Sequence, residues 1–350
     1  MIAASVPEPG RWRVGEHPDA PPPAAGEARV RVIATTVCAT DRKVLEGRFA
    51  GVRYPLIPGH EWGGEVVAVG DGVTHVRPGD RVGVEVHVGC GACERCREGM
   101  RNLCLNYGRR ESGHAHIGFT RDGGLAQFAT VPARALYPVP ENVPDDALAF
   151  VDSLALALAA AERGGVRAGA RVAVFGSGAI GLLAAQAARA MGARVAVVAG
   201  GRESRRRLAE ALGFPTALAA DERLRERLVS LLGGDPDVAL EMAGGEQAAT
   251  QAILSVRRGG AVVLAGSTGT GPQVRGVELA TVVRGQLSIL GSVATHGAVV
   301  HRAVALLAAG AVDTAPLVSH RLGLSRFEEA WDIFCAPGTD AVRVLLDPAA

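Results

Sequence analysis

The chain has 350 residues, 48% hydrophobic, 21% charged and 4% aromatic, with 37 Lys and Arg against 36 Asp and Glu for a formal net charge of +1. That balance leaves no electrostatic footprint for a nucleic acid, and so few rings offer no base-stacking platform. The most apolar runs, such as LALALAAA at 154–161, are too short to cross a membrane, and the length exceeds what one hydrophobic core usually serves, so two domains are expected.

The opening MIAASVPEPGRW shows no basic start followed by an apolar run, which predicts a cytoplasmic chain in a reducing compartment. Up to about residue 150 the texture is short β-branched runs broken by Gly and Pro: ARVRVIATTV, GGEVVAVG, DRVGVEVHV, LAQFATVP. This pattern predicts an irregular, largely antiparallel β domain. Within it, VCATD supplies Cys38 and Thr40, PLIPGHEWGG supplies His60 and Glu61, and FVDSLAL at the end supplies Asp152. A thiolate, an imidazole and a carboxylate together can form the three-ligand set of a catalytic zinc whose fourth position stays open. Taken singly, Cys38 also reads as a small buried hydrophobe, His60 as a structural histidine and Asp152 as a helix N-cap. Trp62, His87 and His116 are candidate pocket walls, and each also reads as packing or surface loop.

CGACERCREGMRNLC, residues 90–104, packs four of the six cysteines into fifteen positions. In a reducing compartment, Cys90, Cys93, Cys96 and Cys104 are most simply a closed all-thiolate zinc site. Such a site has no free coordination position, so it explains the folding of a lobe at about 87–112 and no chemistry. The arginines around it are interleaved with Glu94, Glu98 and Glu111 and read as a solvated face.

Beyond residue 150 the texture becomes strand, glycine, helix, repeated, which predicts a parallel doubly wound α/β sheet over 151–294. RVAVFGSGAIGLLAAQAARAMGA sets Gly176, Gly178 and Gly181 between a strand and an amphipathic helix, with Ala179 and Ile180 inside the loop. The three glycines suit, in turn, a tight turn, close approach of a pyrophosphate and packing of helix on strand, and the helix N-terminus offers amides to the phosphates. At the end of the next strand, RVAVVAGGRESRRR has Gly200 and Gly201 where an NAD-selective site would place an acid, followed by Arg202, Arg205 and Arg206. Room for a 2′-phosphate and nearby guanidinium groups favour NADP over NAD. In the plainer alternative the arginines are a solvated helix turn and Glu203 takes the ribose. After about residue 295 the alternation stops, and LVSHRLGLSRFEEAWDIF to AVRVLLDP reads as a helix and strand that rejoin the first domain.

The order VCATD, GHEWGGEVVAVG, GDRV, the cysteine lobe, GFTRDGGLAQFATVP and GSGAIG resembles the zinc-dependent alcohol dehydrogenases of the medium-chain dehydrogenase/reductase family, in the branch of sorbitol and threonine dehydrogenases. The resemblance covers essentially the whole chain. It implies a GroES-like catalytic domain from residues 1–150 and 295–350 with a Rossmann domain between, and two zinc ions per chain. It further implies Cys38, His60 and Asp152 as catalytic zinc ligands, Glu61 as an acid that approaches the metal, Thr40 as the hydroxyl beside the substrate oxygen, and Arg343 as a late basic residue at the cofactor phosphates. The branch usually has Glu-Pro-Leu where this chain has Asp152-Ser153-Leu154, so Glu61 rivals Asp152 as third ligand. Lys43 stands where many members carry a histidine of the proton relay.

The expected activity is hydride transfer between a secondary alcohol of the polyol, cyclitol or sugar-derived kind, or its ketone, and NAD(P), by a homodimer or homotetramer. A zinc-free quinone or enoyl reductase of the same superfamily would have no use for Cys38, His60 and four lobe cysteines. A non-catalytic nucleotide-binding protein would keep only the lobe zinc.

Overall fold

The ten-residue strand Glu27–Thr36 organises the first half of the chain. Ala28, Val30, Val32 and Ala34 alternate inward with Arg29 and Arg31 facing the other way, the two-residue period of a half-buried strand. It pairs antiparallel with Trp62–Val69, with Phe128–Pro132 and with Arg343–Asp347, so the end of the chain returns to a sheet begun three hundred residues earlier. The computed structural model describes residues 1–49, 51–266 and 274–350. Two compact units emerge. One comprises Met1–Asp152, Ala294–Ala308 and Thr314–Ala350, and the other Ser153–Val293 with Ala309–Asp313.

In the second unit six parallel strands run in the spatial order Thr216–Leu218, Arg194–Ala199, Arg171–Phe175, Val238–Glu241, Ala261–Leu264, Ser288–Gly291. This is the doubly wound order 3-2-1-4-5-6, whose switch point lies beside the first strand. The central strands are buried along nearly their whole length, as strands covered on both faces must be.

Trp62 is sealed in the core of the first unit at 1% exposure and so walls no pocket. A Cβ on Gly124 would come within 2.2 Å of its indole, which explains the glycine there. No described helix is long and apolar enough to cross a membrane.

Candidate active site

Cys38 ends the long strand and opens the helix Ala39–Leu45. The Asp41 carboxylate reaches back to accept the Cys38 backbone N–H at 2.9 Å, the returning half of a capping box with a cysteine at the N-cap. The other oxygen of Asp41 lies 3.1 Å from His60 Nδ1. One buried carboxylate therefore fixes both the Cys38 backbone and the His60 ring, and directs Nε2 away as the free ligand atom. His60 follows Gly59, whose φ of +94° and approach to the Leu125 backbone admit no side chain.

The ligand atoms of Cys38, His60 and Glu61 lie within 4.8 Å of one another. Burial disfavours a charged His60, but Asp41 and the Cys38 sulfur outweigh it and raise its pKa well above the ordinary value. A site that holds a proton this firmly is built for a cation. Thr40 Oγ1 sits 3.9 Å from the Cys38 sulfur, so hydroxyl and thiol share one small space.

Asp152 falls outside that closest group. Its oxygen accepts the Val86 amide at 3.3 Å, and burial raises its pKa to about 7, opposed by the charge of His60 and reinforced by that of Glu61. Glu61, by contrast, has both oxygens engaged, one by the Thr36 hydroxyl and one by Arg343, each at 2.6 Å. Geometry thus brings Glu61 nearest, while electrostatics leaves Asp152 as the carboxylate still short of a counter-charge. Arg343, expected at the cofactor phosphates, is instead 6% exposed and neutralises Glu61. Lys43 lies half-buried on the helix that begins after Cys38.

The four lobe cysteines also converge. Cys90 and Cys96 sulfurs are 4.0 Å apart, those of Cys93 and Cys104 3.9 Å, close to the roughly 3.8 Å edge of a tetrahedron with 2.3 Å zinc–sulfur bonds. All are free thiols, and amides of Cys93 and Cys90 point at the Cys90 and Cys104 sulfurs. The Cys93 amide helps pull Cys90 down to about 6, whereas burial pushes Cys96 up to about 12. Donors aimed at sulfur favour thiolate, and the donor set and spacing fit zinc.

In the second unit the glycine loop has the expected geometry. Gly176 takes φ +123°, a Cβ on Gly181 would meet the Gly176 carbonyl at 1.9 Å, and one on Gly178 would meet nothing within 4 Å. The helix Ala179–Ala190 begins there, with Ala179 and Ile180 in its first turn. Gly200 and Gly201 likewise face open space. The arginines that follow divide: Arg205 is buried at 9% exposure rather than presented to solvent, and Arg206 is tied to Glu203 and Glu210. Glu203 is bound in turn by Arg206 and Arg207, which draw its pKa down to about 2.

Asp41, Thr36 and His114 went unnoticed in the sequence. Asp41 alone carried a local signal, its position three residues after a cap.

Comparison with known proteins agrees with this geometry. Residues 24–141 match the family described as alcohol dehydrogenase GroES-like domain, and 179–309 the family described as zinc-binding dehydrogenase. An L-threonine 3-dehydrogenase of Anaeromyxobacter sp. is 34% identical over 93% of this chain and 92% of its own, and that of Pyrococcus furiosus 31% over 94% and 93%. A zinc-binding dehydrogenase structure from Sinorhizobium meliloti, bound to NADP, superposes with a TM-score of 0.89 at 32% identity, covering 99% of both chains. The chain belongs to the zinc-dependent alcohol dehydrogenases of the medium-chain dehydrogenase/reductase family, with a GroES-like and a Rossmann-type domain. It is an NAD(P)-dependent oxidoreductase of CH–OH groups.

Proposed function

We propose that the substrate is a secondary alcohol bearing further hydroxyl groups, of the polyol, cyclitol or sugar-derived kind, or the matching ketone, and that the enzyme carries two zinc ions and favours NADP. The observation that carries this reading is the Cys38, His60 and Glu61 cluster with Asp41 orienting the imidazole and Asp152 buried beside it without a cation. Cys38, His60 and Asp152 would hold the catalytic ion, while Thr36 and Arg343 restrain Glu61 at its edge. The lobe cysteines would hold the structural one. Structures named galactitol-1-phosphate dehydrogenase from Escherichia coli and 2R,3R-butanediol dehydrogenase from Bacillus subtilis share the fold at 26% and 25% identity, which supports the polyol class.

When bound, zinc supplies Lewis acidity to the alcohol oxygen and the nicotinamide ring accepts the hydride. Thr40 then accepts the alcohol proton at Oγ1, and Lys43 passes a proton outward. Asp41 keeps His60 in one tautomer throughout. Gly176, Gly178 and Gly181 admit the pyrophosphate, and Gly200 with Arg202 receives the 2′-phosphate. The protein acts in the cytoplasm as a homodimer or homotetramer.

Metal analysis after zinc-replete expression, joined to a panel of polyols and their ketones assayed with both cofactors, tests the reading. Two zinc ions per chain and turnover of a polyol are expected. One zinc or none, or turnover confined to quinones or enones, would overturn it.

A further inference from the structure

Three histidines outside the ligand set form one connected group. His87 and His116 face each other across the short antiparallel pair His87–Val88 and Ala115–His116, which stacks their rings at 4.8 Å. His116 packs on Phe119 at 4.1 Å between ring centres, and Phe119 on His60 at 4.8 Å. An aromatic shelf therefore runs from a candidate zinc ligand to His87. A second route gives the same neighbourhood, since Val86, the residue before His87, donates its amide to Asp152.

The hydrogen bonds of this group fix its protons. The Gly108 backbone N–H can only donate, and it donates to His114 Nδ1 at 3.2 Å. His114 therefore carries its own hydrogen on Nε2, which lies 3.3 Å from His87 Nε2. His87 Nε2 must then accept, and the His87 hydrogen resides on Nδ1. That Nδ1 has no partner among the described residues and is not one of the sealed, unpartnered polar atoms of the interior, so it opens on reachable space. Burial lowers the pKa of both His87, to about 4, and His114, so both rings stay neutral near pH 7.

We propose that His114 locks His87 as the Nδ1–H tautomer and that His87 donates this hydrogen to a second hydroxyl oxygen of the alcohol, which makes His87 a specificity-determining residue and His114 a positioning residue. This inference rests on the reading of the Cys38 and His60 centre as the dehydrogenase site. It selects for substrates with an uncharged oxygen beyond the reacting carbon, because the wall supplies a neutral donor and no cation. The site thus prefers a polyol to a monohydric alcohol of equal length.

The test has two independent arms. In the zinc-loaded enzyme labelled with ¹⁵N-histidine, His87 should show a protonated Nδ1 and an unprotonated Nε2, and His114→Leu should abolish this fixed pattern. A His87 protonated on Nε2 would overturn the proposal. In the second arm, kcat/KM is compared for D-sorbitol and 2-hexanol. His87→Phe keeps the ring but not the donor, and should lower the sorbitol-to-hexanol ratio about tenfold, the worth of one ordinary hydrogen bond. His114→Leu should lower it similarly, and His114→Gln, which restores an N–H toward His87, should recover it. A ratio unchanged in His87→Phe overturns the specificity role. Absence of turnover with every alcohol in the wild type instead sinks the dehydrogenase reading, and the spectrum tells that failure apart from this one.

Discussion

Asp41 touches His60 Nδ1 with one carboxylate oxygen and the Cys38 backbone N–H with the other, so a single side chain sets two of the candidate zinc ligands. Asp41→Asn should weaken binding of the catalytic zinc by roughly 10- to 100-fold, the usual cost of losing such an outer partner. Competition with a chelator reads the affinity directly. Retention of wild-type affinity would show that the His60 ring is held by packing on Phe119 alone.

The two metal centres should fail differently. Cys38→Ala is expected to lose one zinc and nearly all turnover while remaining folded, because an open site contributes little to the fold. Cys93→Ala should first lose solubility or thermal stability, because a closed four-sulfur site is part of the lobe's folding free energy. Zinc content with a melting curve for each variant checks this. Wild-type turnover in Cys38→Ala would reject the mechanism.

Glu85 is 2% exposed and accepts the Tyr137 hydroxyl at 2.6 Å. Burial raises its pKa from 4.5 to about 7, against the Tyr137 bond and the charges of Arg101 and Arg134 and with that of Asp152. A carboxyl raised in the folded state favours folding fully below the unfolded value and loses that contribution as pH climbs through about 7. The loss is at most about 3 kcal/mol at 1.36 kcal/mol per unit. Glu85→Gln keeps the acceptor and removes the proton, so its unfolding free energy should decline less than that of the wild type between pH 5 and pH 8. Parallel urea curves at the two pH values would contradict the assignment.

Cofactor choice should follow the loop after Ala199. With Glu203 bound by Arg206 and Arg207, no acid there is left to claim the ribose hydroxyls. The ratio of kcat/KM for NADP over NAD is expected above one, and Arg202→Ala should reduce it. A preference for NAD of about tenfold, or about 1.4 kcal/mol, would reject the reading.

The features legible in the sequence are those whose parts lie close together in it. The cysteine lobe spans fifteen positions, and the glycine loop declares itself by its place between strand and helix. Cys38 and His60 were visible only as residues of the right type, and resemblance, not spacing, joined them. The partners of Glu61 were illegible because Arg343 stands 282 residues away, and a buried ion pair leaves no periodic mark. Asp41 hid behind an unusual cap, cysteine in place of serine or threonine. His114 looked like loop surface in RRESGHAHIG, yet it is 1% exposed.

The strand Arg343–Asp347 also sets an order of events. A ribosome delivers Thr36, Cys38, His60 and Glu61 early, but the guanidinium that neutralises Glu61 and the edge that pairs with Thr35 and Thr36 emerge only with the last eight residues. Until then the nascent first unit holds an acid with no counter-ion and a strand with an open side. The catalytic centre is therefore finished only at chain termination, and translation stopped short of Arg343 yields a protein with all its metal ligands and no settled place for Glu61.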